Sequence, residues 1–135
     1  MTRVDPTRVR WPVPWRPLTD ENEALAFGRA MSPNVAPTVL AELRREVCDR
    51  HPLAGAACRP IAWESWSKKD FLFLTDRPGL PVVLVHFTWH VEPNPEWPFV
   101  VGYSSLRDFF RRERSWAAEA RVCLQRGWAD FIGGW

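Results

Sequence analysis

Between Phe71 and His90 the chain sets two apolar runs, Phe71–Thr75 and Pro81–His90, on either side of Asp76-Arg77-Pro78-Gly79. A link that short, carrying a Pro and a Gly suited to a tight turn, joins strands only as antiparallel neighbours, because a parallel pair needs a crossover of a dozen or more residues. The same logic extends upstream, where Arg59–Trp66 is separated from Phe71 by the polar turn Ser67-Lys68-Lys69-Asp70. Downstream, the two-proline loop Val91–Glu96 leads to a fourth strand, Trp97–Tyr103, whose Pro98 suits an edge. The expected sheet is therefore an antiparallel meander of about four strands. Phe71–Thr75 is apolar on both faces and belongs at its centre.

Two helices precede the strands. Thr19 and the acids after it suit a helix from Asp20 to Met31, with Ala24, Phe27, Gly28 and Met31 at helical spacing. A second runs from Pro37 to Cys48 on the stripe Ala36, Leu40, Leu43 and Val47. Glu42, Arg45, Glu46 and Arg50 then fall on its solvated side, where Glu42–Arg45 and Glu46–Arg50 can pair. After the strands, Ser104 or Ser105 caps a third helix through Leu106, Phe109 and Phe110 toward Gln125. The order α-α-β-β-β-β-α implies an α+β fold with helices on one face of the sheet. Period-two alternation puts Val83, Val85, Phe87 and Trp89 on the buried face, against Leu40, Leu43 and Phe109. Residues 19–126 form the single domain. Residues 1–18 are a proline- and tryptophan-rich arm, with Pro6, Pro12, Pro14 and Pro17, and 127–135 an aromatic tail.

A hydrophobic content of 46% and a charged content of 25% suit a globular chain of 135 residues. The apolar runs are strand-sized, and no apolar stretch follows Arg3, Arg8 and Arg10, so the expected setting is cytoplasmic, with no membrane partner. The net charge of +2 is uneven: residues 107–126 carry six Arg against three acids. That Arg-rich helix is a candidate nucleic-acid surface.

Chemistry-bearing residues are sparse. Cys48, Cys58 and Cys123 are widely spaced and form no CxxC pair, so buried reduced thiols are expected rather than a zinc site. His86 and His90 lie four residues apart on a strand, roughly 13 Å, too far to share one ion. His51 joins neither by sequence. Cys58 with His86 lacks any signature of an activated thiolate. No phosphate-cradling glycine motif occurs. The expectation is thus no metal, no cofactor and no complete catalytic motif. The face bearing His86, Thr88 and His90 turns from aliphatic to polar and is a candidate cleft border, which keeps a small enzyme with a cleft at His86/His90 as one reading.

Nine Trp against one Tyr is the unusual feature. Trp63, Trp66, Trp89 and Trp97 can serve the core. Trp11 and Trp15 stand on the arm beside Arg10 and Arg16, and Trp128 and Trp135 on the tail. Exposed indoles must be covered by their own domain or by a partner, and Trp with Arg dominates binding hot spots.

An ordered series runs through the middle of the chain: Leu43-Arg44-Arg45-Glu46-Val47, His51-Pro52-Leu53-Ala54-Gly55, Phe71-Leu72-Phe73, Val85-His86-Phe87-Thr88-Trp89 and Trp97-Pro98. It resembles a group of small bacterial proteins sharing HPLxG, an LF strand, VH[LF]TW and WP over residues 40–112. The resemblance implies no activity. It implies that His51, His86, Thr88 and Trp89 belong to one structural unit. The function expected is a non-catalytic protein-interaction module, of immunity or antitoxin type as one concrete form, binding another protein or itself as a homodimer. Its candidate contact residues are Arg10, Trp11, Trp15, Arg16, His86, Thr88 and His90.

Overall fold

The computed structural model describes residues 4–113. A single turn of 3-10 helix at Pro6–Arg8 precedes strand β1 (Trp15–Pro17) and the helices α1 (Glu21–Met31) and α2 (Val39–Glu46). Strands β2 (Cys58–Glu64), β3 (Asp70–Thr75), β4 (Val82–His86) and β5 (Phe99–Tyr103) follow, and then helix α3, described over residues 106–113. The remainder of the Arg-rich helix, Cys123 and the aromatic tail lie outside the described residues.

All five strands form one antiparallel sheet in the order β1-β2-β3-β4-β5, with β3 at its centre and buried on both faces. The fold is α+β, and the meander expected from the short turns is present. The fifth strand corrects the expected four. It comes from the arm, whose prolines exclude an inner strand but leave room for a three-residue edge: Trp15 pairs with Glu64, Arg16 with Trp63 and Pro17 with Ala62.

Helix starts follow side-chain capping. The Asp20 carboxylate accepts from Glu23 N–H at 3.2 Å, and Thr38 Oγ1 accepts from Ala41 N–H at 3.1 Å. Ser105 Oγ accepts from Asp108 N–H at 3.0 Å while Asp108 accepts back from Ser104 N–H at 3.1 Å, a reciprocal cap for α3.

The helices do not share one face. α1 and α2 cover the face formed by Phe71, Phe73, Val83 and Val85, joined by Phe87 and Trp89. α3 covers the opposite face, where Phe109 packs with Trp15, Ile61, Leu72, Val82 and Tyr103. Leu43 therefore meets the Val83–Val85 face as expected, and Phe109 lies across the sheet from it. A bulge between Pro60 and Ala62 puts Ile61 and Ala62 on the same face, breaking the strict alternation of a regular strand.

β4 ends at His86, short of the expected His90. Phe87 N–H still donates to Lys69 at 2.8 Å, but the backbone then turns, and Trp89 takes φ 65°. Its ring remains buried, folded onto α1 at Gly28, where an added Cβ would lie 2.4 Å from Trp89 Cε3. Gly28→Ala would gain about 1 kcal/mol of helix propensity, whereas overpacking a filled core costs about 1–3 kcal/mol. Packing should win: urea denaturation is expected to show Gly28→Ala less stable than wild type, and a more stable variant would contradict the Trp89–α1 contact.

Candidate functional site

Two carboxyl groups thought to be solvated are fully buried. Glu42 and Glu46, one turn apart on α2, have no exposed surface, which overturns their placement on the helix's outer side. The helical stripe predicted only which positions are apolar. It did not register that the turn after β4 has backbone donors to satisfy. Glu46 Oε1 accepts from Thr88 N–H at 2.8 Å and from its hydroxyl at 3.1 Å, and Oε2 accepts from Trp89 N–H at 3.1 Å. Glu42 accepts from Ala36 N–H at 2.9 Å and takes both arms of Arg45 at 2.8 Å, the pairing expected from their spacing.

The two acids divide one charge. Burial pushes Glu46 up to about 9, and its hydrogen bond with Glu42 adds to the rise. Burial also acts on Glu42, but the hydrogen bonds from Glu46, Arg45 and Ala36 outweigh it and hold that carboxyl below its usual range. At neutral pH the proton sits on Glu46 and the negative charge on Glu42, opposite Arg45. A buried ion so paired and a buried neutral acid so bonded fasten α2 to the turn.

The histidines are placed separately. His51 is buried; Nδ1 accepts from Leu53 N–H at 3.0 Å, so Nε2 carries the hydrogen and donates to Pro98 O at 2.8 Å. Burial lowers its pKa and keeps it neutral. His86 Nδ1 lies 2.7 Å from Asp70 Oδ1, in a row across the sheet that also holds Trp15, Glu64 and Phe99. His90 is exposed, beyond the turn. Thr88 is committed to Glu46. Of the three polar residues of the expected cleft, Thr88 and His90 meet, the Thr88 hydroxyl accepting from His90 N–H at 3.3 Å, while His86 is held apart on Asp70. Burial raises the Cys58 thiol, which opposes a reactive thiolate. Among the described residues no group of three or more His, Cys, Asp or Glu can hold a metal ion.

The arm's candidates lie on their own domain. Trp15 is 5% exposed; its indole donates to Glu113 at 2.9 Å and meets the Phe109 ring edge-on at 5.1 Å. Trp11 donates to Pro6 O at 2.9 Å and packs on Phe110 at 5.6 Å. Arg16 pairs with Glu23 at 2.5 Å and covers the Trp63 ring, and Arg10 is exposed. Within the described part of the Arg-rich helix, Arg111 and Arg112 bind Asp108.

Among the described residues Val13, Met31, Trp66 and Val91 are exposed large hydrophobics at other places, Trp66 against its expected place in the core, while two more adjoin the edge strand β5. Trp97 and Phe99, the first of which was expected in the core, are 42% and 53% exposed with rings 6.5 Å apart. They rim a depression of about 410 Å³ lined also by His51, Pro52, Pro95 and Pro98. The sequence signal available for this surface was the uncharged run Phe99–Tyr103 after a proline, which marks an edge but not whether the edge is covered. Neither a family model, a curated protein nor a solved structure matches the chain.

The Glu46 assignment has a pH signature. The folded chain keeps a proton that the unfolded carboxyl releases above its ordinary value near 4.5, so this group's contribution is full below that and declines as pH rises toward about 9. Glu46→Gln keeps an acceptor for the turn and cannot titrate. Its amide nitrogen cannot accept from Trp89 N–H, so it should cost about 1–3 kcal/mol at pH 7 and lose less stability between pH 6 and 8, by up to about 1.4 kcal/mol per unit. Glu46→Ala, leaving two buried amides unpaired, should cost about 2–5 kcal/mol. Equal pH slopes for wild type and Glu46→Gln in urea titrations would contradict a protonated Glu46.

Proposed function

We propose that the protein is a non-catalytic protein-interaction module, and that it docks its partner on the open side of β5. The observation that carries this reading is the exposed pair Trp97 and Phe99 beside an outermost strand that no described residue covers. Several groups with chemical potential hold the fold: His51 on Pro98, Glu46 on the turn, Trp15 on Glu113. Two large aromatics at a strand edge instead offer apolar area next to backbone hydrogen-bonding groups, the two ingredients of strand addition. Immunity- or antitoxin-like inhibition is one role such a module fills.

A photo-reactive phenylalanine analogue at position 99, used in the native host, tests this. The expected result is one discrete protein adduct that a probe at Met31, 61% exposed on α1, does not give. The captured protein, purified, should bind wild type and lose at least about tenfold in affinity with Trp97→Ala, as for a central aromatic contact. No adduct at 99, equal adducts at both positions, or an adduct sensitive to nuclease would overturn the reading, the last in favour of the Arg-rich helix on nucleic acid.

A further inference from the structure

The hydrogen-bond parity of the sheet fixes what each edge presents. Bonds in an antiparallel ladder join directly opposed residues, and along one strand alternate residues bond to alternate sides. Phe87 N–H donates to Lys69 and Thr75 N–H to Pro81, so residues 81, 83, 85 and 87 bond toward β3. Val82, Leu84 and His86 then bond toward β5, to Tyr103, Val101 and Phe99. The amides and carbonyls of Val100 and Gly102 consequently point away from the sheet.

The flanking outward positions have no free donor. Pro98 has no N–H, and its carbonyl is taken by His51 at 2.8 Å. Ser104 N–H is taken by Asp108 at 3.1 Å. Among the described residues, the window left open is two residues wide, with two donors and two acceptors.

The other edge offers no free donor. Ser65 N–H donates to Pro14 and Leu18 N–H to Ile61, so on β1 it is Trp15 and Pro17 that face outward. Trp15 N–H is already bound to Pro12 O at 2.7 Å, and Pro17 has none to give. Native sheets guard edges with prolines, charges and bulges. Here one edge carries Arg16 and Pro17, and the other, Phe99-Val100-Val101-Gly102-Tyr103, has no charge and no proline.

From this we infer that the β5 edge pairs with the same edge of a second copy, antiparallel about a two-fold axis through Val101. In that register Val100 lies opposite the partner copy's residue 102, and Gly102 opposite its residue 100, so all four open groups of each chain are used. Residue 98 faces the partner's residue 104, and neither position has a free N–H, so pairing strands no donor. A longer foreign strand would instead meet Pro98 and the occupied Ser104 amide without gaining bonds. The uncharged strand brings no like charges together at the axis, and Phe99 falls across from the partner's tyrosine at 103, which covers its exposed ring. The inference rests on the reading of β5 as the docking strand and names its occupant.

Sedimentation equilibrium of the full chain across micromolar to near-millimolar concentration tests it. Wild type should move to twice the monomer mass. Val100→Pro removes an outward donor without touching the β4 ladder, and Phe99→Lys adds the charge that guards natural edges; both should remain monomeric over the range. If Val100→Pro does not fold, Phe99→Lys, altering an exposed side chain, decides alone. A wild type that stays monomeric throughout, or a dimer that Phe99→Lys leaves intact, would overturn the inference. In the first case a position-99 adduct with a different protein would leave the broader reading standing, and its absence would remove both.

Discussion

The protonated Glu46 carboxyl is the contact on which the arrangement of the molecule depends. It reaches from α2 across the end of β4 and holds the amides of Thr88 and Trp89. With those amides held, the backbone leaves the sheet after Phe87, Trp89 turns back over Gly28, and α1 is drawn onto the same face. The backbone of Glu46 reinforces this by accepting from Glu92 N–H at 3.2 Å, so the loop leading to β5 is fixed from the same residue. A neutral acid performs this more cheaply than an anion, since the one charge of the pair stays on Glu42 against Arg45.

The position of that loop decides what β5 can offer. His51, neutral and buried, closes the carbonyl of Pro98, and Asp108 closes the amide of Ser104. Between these two stops the strand is uncovered by any described residue. Its window is defined by interactions made for other reasons, in a turn and in a helix cap. The N-terminal arm has the complementary effect on the far side, where Trp15 drives into the α3 face and its prolines leave the edge without donors.

Much of the sheet was legible in the sequence because turn chemistry is local: four-residue links with Pro, Gly or paired charges leave few topologies open. The burial of Val83, Val85 and Phe87 followed from alternation alone. The fifth strand was not legible, since prolines argue against strands everywhere except at an edge, and only tertiary docking of Trp15 shows that an edge was available. Glu42 and Glu46 were misplaced because helical periodicity treats every carboxylate as solvated. A partner for a buried acid, here a turn more than forty positions later, leaves no periodic trace. Phe109 was put on the wrong face because a stripe on a helix does not say which side of a two-faced sheet it meets. The candidate surface was the least legible part. Arg10, Trp11, Trp15 and Arg16 stand out by composition, but composition does not show that Trp15 is buried or that Trp97 and Phe99 are exposed beside an edge strand, which packing decides.

Residue-by-residue amide hydrogen exchange tests the open edge most directly. In dilute solution Val100 and Gly102 should exchange fast while Val101, bonded to Leu84, exchanges slowly, and both fast amides should slow as concentration rises. Protection of Val100 and Gly102 already present at the lowest concentration, or exchange that ignores concentration altogether, would contradict an edge that is open in the monomer and closed by a second copy.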